Sequence, residues 1–546
     1  MVMNKKKIFF VVNLFLLLNS SFSQIKYWVK LSDKNGSPYS ISNPPAFLSN
    51  ASIQRRITYN IPIHFTDLPV TPSYITQINA VSGATVVYAS KWLNGLVVSV
   101  TNTMVLNTIN SFSFVLNSSL VNRFKLDIPK ITEPIVNEDK ENLRTNLTST
   151  FNYGGSYWQT KQLNLDCIHN QGFRGQGITI AVLDAGFLNA NTNPVFDSLF
   201  NRGGVLGTRD FVSGGTNVYD DDAHGTMVLS CMAAIKPNVI MGSAPRANYW
   251  LLRTEDANTE KLVEEYNWIR GAEFADSVGV DILSTSLGYT TFDNPSQNHT
   301  FSTLNGKTAP MSIAANLAAR KGLLVLNSAG NGGGSSWPKI SIPADADSIC
   351  TVGAIDSLNN VTSFSSLGPT ADNRIKPDLL ARGGNAWVSL GTSGNCFQAN
   401  GTSFSCPILA GAMACFWQAH PTFSSFKVLD TLKKTASNFS APNNSKGWGI
   451  PNMCAIPTSI SEKSLIDKIN VYPNPFNTKL KITKVDAELK IFKFQIINVL
   501  GEVIKVNYSF VENNIIEFDF SDVSSGIYFF QLNTEKDIVT KKIIKQ

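Results

Sequence analysis

Histidine and cysteine are scarce in this chain of 546 residues, at 5 and 7. No CxxC pair or His/Cys spacing suggests zinc, so a metal centre built from these ligands is not expected. Charge is sparse too: Asp, Glu, Lys and Arg make up 16% of the residues, and the net +6 is mild for the length. No cluster of Lys and Arg interleaves with aromatics, which leaves nucleic acid out as a partner. Beyond the N-terminus no run reaches about 18 apolar residues, the least that crosses a bilayer as a helix. The mature chain is therefore expected to be soluble, with no membrane span. There is no internal repeat.

What is present begins with the first 23 residues. Lys5, Lys6 and Lys7 precede an apolar run from Ile8 to Leu18, and a small-residue stretch ends in Ser21-Phe22-Ser23. That order reads as a secretory signal peptide, residues 1–23, cleaved after Ser23. As a membrane anchor the run is too short, because it is interrupted at Asn13 and cannot span about 30 Å of hydrocarbon. The remainder, with 43% of the whole chain hydrophobic, suits packed globular domains, roughly three for this length. An exported chain can form disulfides, but 7 cysteines leave at least one thiol unpaired. Cys231, Cys406 and Cys415 lie in apolar helical stretches and are expected as small core residues. Cys350–Cys396 and Cys167–Cys454 remain as pairings between which the sequence does not decide.

Residues 24–145 form a first unit. Tyr27–Leu31, Thr85–Ala89, Leu96–Thr101 and Phe114–Leu116 read as strands. Pro45–Thr58 reads as a helix with Arg55 and Arg56 exposed, and further helices follow Pro72 and lie near Met104–Asn110. The order suits a small two-layer α+β domain. The polar tract Glu138–Asn146 has no periodicity and reads as a linker open to proteolysis. From 151 to 456 continuous apolar strands alternate with helices. The strands include Ile178–Leu183, Tyr249–Leu252, Ile282–Ser284, Leu323–Leu326 and Ile349–Val352; the helices include Glu260–Val278 and Met311–Lys321. This pattern predicts an α/β three-layer fold with a mostly parallel sheet covered on both faces, its functional residues outside the carboxyl ends of the strands. A linker over 457–468 leads to residues 469–546, where period-two alternation predicts a β-sandwich. There Ile504, Val506, Tyr508 and Phe510 share one face, and Ile516, Phe518 and Phe520 another.

Candidate chemistry gathers in the middle region. Asp184 ends the apolar strand ITIAVL, although an Asp there is by itself ordinary turn chemistry. His224 follows Asp220-Asp221-Asp222-Ala223, assigned to a solvated loop, and opens the apolar helix GTMVLSCMAA. His64 lies in the first unit, and His169, His299 and His420 lack such a setting, so elimination leaves His224 as the general base. Ser403 lies in Asn400-Gly401-Thr402-Ser403-Phe404-Ser405-Cys406-Pro407. The helix Pro407–His420 follows, placing Ser403 at or just before a helix N-terminus, where unpaired N–H groups favour negative charge. A serine hydroxyl becomes a nucleophile when an imidazole takes its proton and a carboxylate orients the imidazole. The oxyanion needs fixed donors, for which Asn331, after Leu326-Asn327-Ser328-Ala329-Gly330, and the Ser403 N–H are candidates.

In chain order AVLDAG, HGT, SAGN and GTSFSCP resemble the four signatures of the subtilisin-like serine proteases, over roughly residues 151–456. The order Asp, His, Ser and the lack of a Gly-x-Ser-x-Gly elbow separate this family from chymotrypsin-like and α/β-hydrolase enzymes. Phe364–Pro369 and Lys376-Pro377-Asp378 also look like family segments. The resemblance implies Ser403 as nucleophile, His224 as base and acid, Asp184 as its orienter and Asn331 as oxyanion donor. It implies substrate binding along Ser286, Leu287 and Gly288 by β-augmentation, together with Ala329 and Gly330. No metal site and no cofactor is required for that chemistry; a structural calcium is left open, with no ligand pattern behind it. The departures, Leu229-Ser230 and Ser405-Cys406, touch packing.

The flanks gain meaning from the same resemblance. Residues 24–145 fit a propeptide that templates folding and blocks the cleft. The last 78 residues, with VYPNPF, NVLG, SGIY and the basic tail Lys541–Lys545, resemble the type IX secretion sorting domain of Bacteroidetes-type Gram-negative bacteria. The reading is a secreted or outer-surface serine endopeptidase, with protein or peptide substrates, its own propeptide and the type IX machinery as partners. The competing class is a catalytically silent surface-binding protein that kept the fold.

Overall fold

The computed structural model describes residues 25–122, 136–137, 151–455, 469–484, 491–498, 502–512, 515–534 and 538–546. The expected signal peptide and the linker tracts 138–146 and 457–468 lie outside the described residues. Contacts divide the chain into two compact units, Met1–Ile456 and Pro457–Gln546.

The first unit opens with β1 (Ile25–Leu31), α1 (Asn50–Thr58), α2 (Pro72–Asn79), β2 (Ala84–Ser90), β3 (Gly95–Val100), α3 (Thr103–Asn110), β4 (Val115–Asn122) and the short β5 (Val136–Asn137). β1 to β4 form an antiparallel sheet in the order β2-β3-β1-β4. Alternate residues divide between its faces. Val29, Leu31, Leu96 and Val98 pack on Ile78 of α2 and Ile109 of α3, while Trp28, Val97 and Val121 turn to the neighbouring domain, where Trp28 lies 4.8 Å from the Tyr266 ring. Arg55 and Arg56, expected on the surface, are buried. Both reach Asp276 across the boundary, and a buried partner carboxylate is what lets an arginine leave water. Nothing in the local pattern of α1 announces that partner.

The domain that follows contains α4 (Tyr157–Lys161), α5 (Leu165–Asn170), β6 (Thr179–Asp184), α6 (Asp197–Asn201), β7 (Val205–Asp210), α7 (His224–Ala233) and the hairpin β8 (Ile235–Lys236) and β9 (Ile240–Met241). Then come β10 (Asn248–Arg253), α8 (Val263–Val278), β11 (Ile282–Thr285), α9 (Pro310–Arg320), β12 (Leu324–Ser328), β13 (Cys350–Ile355), β14 (Leu379–Arg382), β15 (Ala386–Leu390), β16 (Asn395–Ala399), α10 (Thr402–Ala419) and α11 (Ser425–Thr435). Seven strands make a parallel sheet in the order β14-β13-β12-β11-β6-β10-β7. The apolar strands explain this layering. In β6, Ile180 and Val182 enter one core with residues of α7, α10 and α11, and Ala181 and Leu183 enter the other with residues of α8 and α9. Three layers result.

Helix α10 corrects one expectation. It begins at Thr402 rather than Pro407, so the proline stands inside the helix. A proline there supplies no N–H to the carbonyl four residues back, which is that of Ser403. The orphaned carbonyl accepts instead from Ser286 Oγ at 2.8 Å. Of the two candidate disulfides, Cys167–Cys454 is formed, while Cys350 and Cys396 are free thiols. Cys231, Cys406 and Cys415 are buried free thiols, as small core residues would be.

The second unit comprises β17 (Ile469–Tyr472), β18 (Lys479–Lys484), β19 (Ile491–Asn498), β20 (Val503–Ile504), β21 (Asn507–Glu512), β22 (Ile515–Asp519), β23 (Gly526–Thr534) and β24 (Ile538–Lys545). They form two antiparallel sheets, β17-β18-β22-β21 and β20-β19-β23-β24. Leu480, Phe518, Ile496, Phe530 and Ile543 from both sheets share one core, giving a β-sandwich. Ile516, Phe518 and Phe520 are buried, but Phe510 on the expected companion face is 71% exposed. β21 is an edge strand, and Ile504 lies in β20 of the other sheet, so the four residues expected on one face do not share it.

Candidate active site

The predicted residues converge at the carboxyl ends of adjacent strands. Asp184 is the last residue of β6. Ser286, Leu287 and Gly288 follow β11, and Ala329, Gly330 and Asn331 follow β12. His224 is the first residue of α7, and Ser403 the second of α10. Strand order β12-β11-β6-β10 makes these ends neighbours, which sequence distance alone does not reveal. Gly225 is required by the approach of α7 to the end of β6: a Cβ there would lie 2.2 Å from the carbonyl oxygen of Gly186.

Asp184 is buried, and its Oδ1 lies 2.8 Å from His224 Nδ1 and accepts the Ala185 N–H at 2.9 Å. The His224 backbone N–H donates to Asp222 Oδ1 at 2.7 Å. Asp222 therefore positions the start of α7. The three aspartates are not simply a solvated loop, since Asp221 also pairs with Arg253 at 2.9 Å. Burial disfavours the imidazolium, but the charge and hydrogen bond of Asp184, with help from Glu255 and Asp222, outweigh it and raise the pKa of His224 to about 9.

Ser403 is buried, with its Oγ 3.5 Å from the carbonyl oxygen of Ser286. No hydrogen bond joins it to His224 among the described residues; the ring next to His224 is Phe404, at 6.2 Å between centroids. The Ser403 N–H, in the first turn of α10, has no intrahelical acceptor. Asn331 Oδ1 accepts from the N–H and the Oγ1 of Thr402, at 2.8 and 2.9 Å. Only the carboxamide oxygen accepts hydrogen bonds, so Nδ2 is the end left for a ligand. Thr402 Oγ1 in turn accepts the Gly330 N–H at 3.2 Å. Sequence reasoning overlooked Thr402, Asp222 and the Ser286 hydroxyl; their cue was adjacency to the motif residues, and the partners of Thr402 and Ser286 are distant in sequence, while Asp222 acts two residues away.

Of the other histidines, His169 is buried, with Nδ1 2.9 Å from Tyr153 Oη and Nε2 3.0 Å from Ser243 O. Burial holds its pKa down at about 4, a neutral structural role. His299 meets a carboxylate, Glu265 at 2.5 Å, away from the serine. Among the described residues no group of three or more His, Cys, Asp or Glu is placed to hold a metal ion.

Residues 26–136 match the Peptidase S8 propeptide domain of Bacteroidota, and residues 470–546 match a secretion system C-terminal sorting domain. Subtilisin BL of Lederbergia lenta is 31% identical over 288 residues, covering 52% of this chain and 93% of the relative. Subtilisin NAT of Bacillus subtilis subsp. natto is 32% identical over 280 residues, 50% of this chain. Here the chain spans only 65% of the relative's length. Residues 175–449 match the model of the subtilase family, and the chain belongs to that family.

Proposed function

We propose that the chain is a serine endopeptidase that hydrolyses peptide bonds through Ser403, His224 and Asp184, with Asn331 as an oxyanion donor. The observation that carries the reading is the His224–Asp184 hydrogen bond of 2.8 Å at the strand ends where Ser403 and Asn331 also gather. His224 Nε2 takes the Ser403 proton as Oγ attacks the scissile carbonyl, and Asp184 stabilises the imidazolium on the Nδ1 side. The carbonyl oxygen becomes an oxyanion between the Ser403 N–H and Asn331 Nδ2. Thr402 holds the carboxamide in advance, so little reorganisation is needed. His224 then gives its proton to the leaving amine, and water, activated by the same imidazole, hydrolyses the acyl-enzyme. This chemistry calls on side chains, one backbone N–H and water. The silent surface-binding alternative finds no missing residue to support it.

Substrate is read as an added strand along Ser286–Gly288 beside Ala329 and Gly330. The N-terminal segment is read as the propeptide. In support, Val136 and Asn137 pair antiparallel with Ala399 and Gln398, just upstream of Ser403. Residues 469–546 are read as the tag handed to the type IX machinery, which fits a secreted or cell-surface protein. Ser403→Ala should abolish peptide hydrolysis and labelling by a serine-directed fluorophosphonate. Turnover near the wild-type rate in the purified variant would overturn the reading.

A further inference from the structure

The wall of the cleft beside His224 carries carboxyl groups that the hydrolytic steps do not use. Arg253 ends β10 in register with Asp184, and the Thr254 N–H donates to the Asp184 carbonyl at 2.9 Å. Glu255 is the next residue, so the fold sets it beside the Asp184–His224 pair. It is half-buried, and its hydrogen bond is from Tyr289 Oη at 3.3 Å to Oε2. Arg253 does not neutralise it, being held by Asp210 at 3.0 Å, Asp221 at 2.9 Å and the Ala185 carbonyl. Behind it lies Glu264, 1% exposed, whose Oε1 accepts from Thr259 Oγ1 and the Lys261 N–H while Oε2 has no partner among the described residues.

Burial, then the charges of Glu260 and Asp184, raise Glu255 to about 8, against smaller opposing effects of His224 and Tyr289. Of the groups that act on Glu255 in this way, His224 is the cation. A partly buried carboxylate crowded by other carboxyl groups is costly, and an arriving cation relieves that cost. The rings of Tyr289 and Phe292 are buried and stack at 6.1 Å, which fixes the Tyr289 hydroxyl against Glu255 from the protein side.

We propose that Glu255, backed by Glu264, is the base of a subsite that selects a lysine or arginine side chain of the substrate, at the residue immediately N-terminal to the scissile one. This rests on the endopeptidase reading of the site. Neighbouring side chains of an extended peptide point to opposite faces. With the scissile residue turned toward Ala329 and Gly330, the residue before it turns toward His224 and Glu255.

The test uses the processed enzyme from the full-length chain and peptides that differ only at that position, Arg or Lys against Gln or norleucine. The expected kcat/KM ratio is about tenfold or more in favour of the basic peptides, falling with added salt. Glu255→Gln should bring the ratio toward unity, and Glu255→Asp should restore part of it. Equal rates on basic and neutral peptides, in an enzyme that still takes a fluorophosphonate label, overturn the subsite alone. Failure of both labelling and hydrolysis overturns the endopeptidase reading, and the subsite with it.

Discussion

Arg56 Nη2 lies 2.9 Å from Asp276 Oδ2, and the two side chains are 1% and 0% exposed, one in the N-terminal segment and the other in α8. Arg55 reaches the same carboxylate, and Lys321 returns the contact to Asp67 at 2.8 Å. Burial works to raise Asp276, but Lys91, Arg56 and Arg55 hold its carboxyl well below the usual range. Such groups depend on one another, because removing one partner of a buried pair costs about 3–5 kcal/mol. After cleavage of the connecting tract, the N-terminal segment should co-elute with the rest at neutral pH and separate in Asp276→Ala. The depressed carboxyl contributes above its free value and is lost as pH falls below about 4, so acid should also part the pieces. Co-elution of the variant, seen by size-exclusion chromatography, would show that the cluster does not hold the segment.

The pH profile follows from His224. Its raised pKa, about 9, keeps the imidazole protonated, and unable to accept the Ser403 proton, at neutral pH. The acid limb of kcat/KM should therefore lie well to the alkaline side of an ordinary histidine, whose pKa is about 6.5. Glu255 is one of the charges that raise it, so Glu255→Gln should move the limb toward lower pH. Asp184→Asn should move it further and reduce kcat by orders of magnitude. A limb at or below the ordinary histidine value in the wild type, on a peptide without ionising groups, would contradict this.

The sheet and the candidate residues at its strand ends were legible because apolar strands and short motifs are local signals. ITIAVL reads as a buried strand on its own, and Asp184 closes it. What was not legible depended on partners far along the chain. Arg55 looks like the solvent face of a helix until Asp276 arrives from 221 residues away. The start of α10 was misread because Pro407 suggests a helix beginning, and only the Ser286 hydroxyl reveals how its missing N–H is tolerated. The exposed Phe510 shows the converse limit: alternation identifies a strand but not whether that strand lies at an edge.

The bond between Cys167 and Cys454 spans 287 residues of sequence, so it closes a loop containing every proposed catalytic residue. By constraining the unfolded chain, a disulfide of this kind stabilises by about 2–5 kcal/mol. The double variant Cys167→Ala/Cys454→Ala should melt lower without altering the pH profile. Of the remaining cysteines, four are buried and Cys396 is half-exposed. Thiol titration of the native protein should therefore find Cys396 reactive, with Cys231, Cys350, Cys406 and Cys415 appearing only on denaturation. Ready reaction of Cys167 or Cys454 in the native protein would mean that this bridge is absent.

Thr402 offers a separate test of the oxyanion donor. Its N–H and hydroxyl both bind Asn331 Oδ1, at 2.8 and 2.9 Å, and so aim the amide nitrogen. Asn331→Leu deletes the donor and should lower kcat by about 10²–10³-fold with little change in KM, a figure carried over from another member of the family. Thr402→Val keeps the backbone bond and loses the hydroxyl, leaving the carboxamide present but less firmly held. Its kcat should fall less than that of Asn331→Leu, again with KM spared, because the oxyanion exists only along the reaction path. Combining the two should cost little more than Asn331→Leu alone, since Thr402 acts through the group already removed. Additive losses in the double variant would mean that Thr402 works on the reaction by another route.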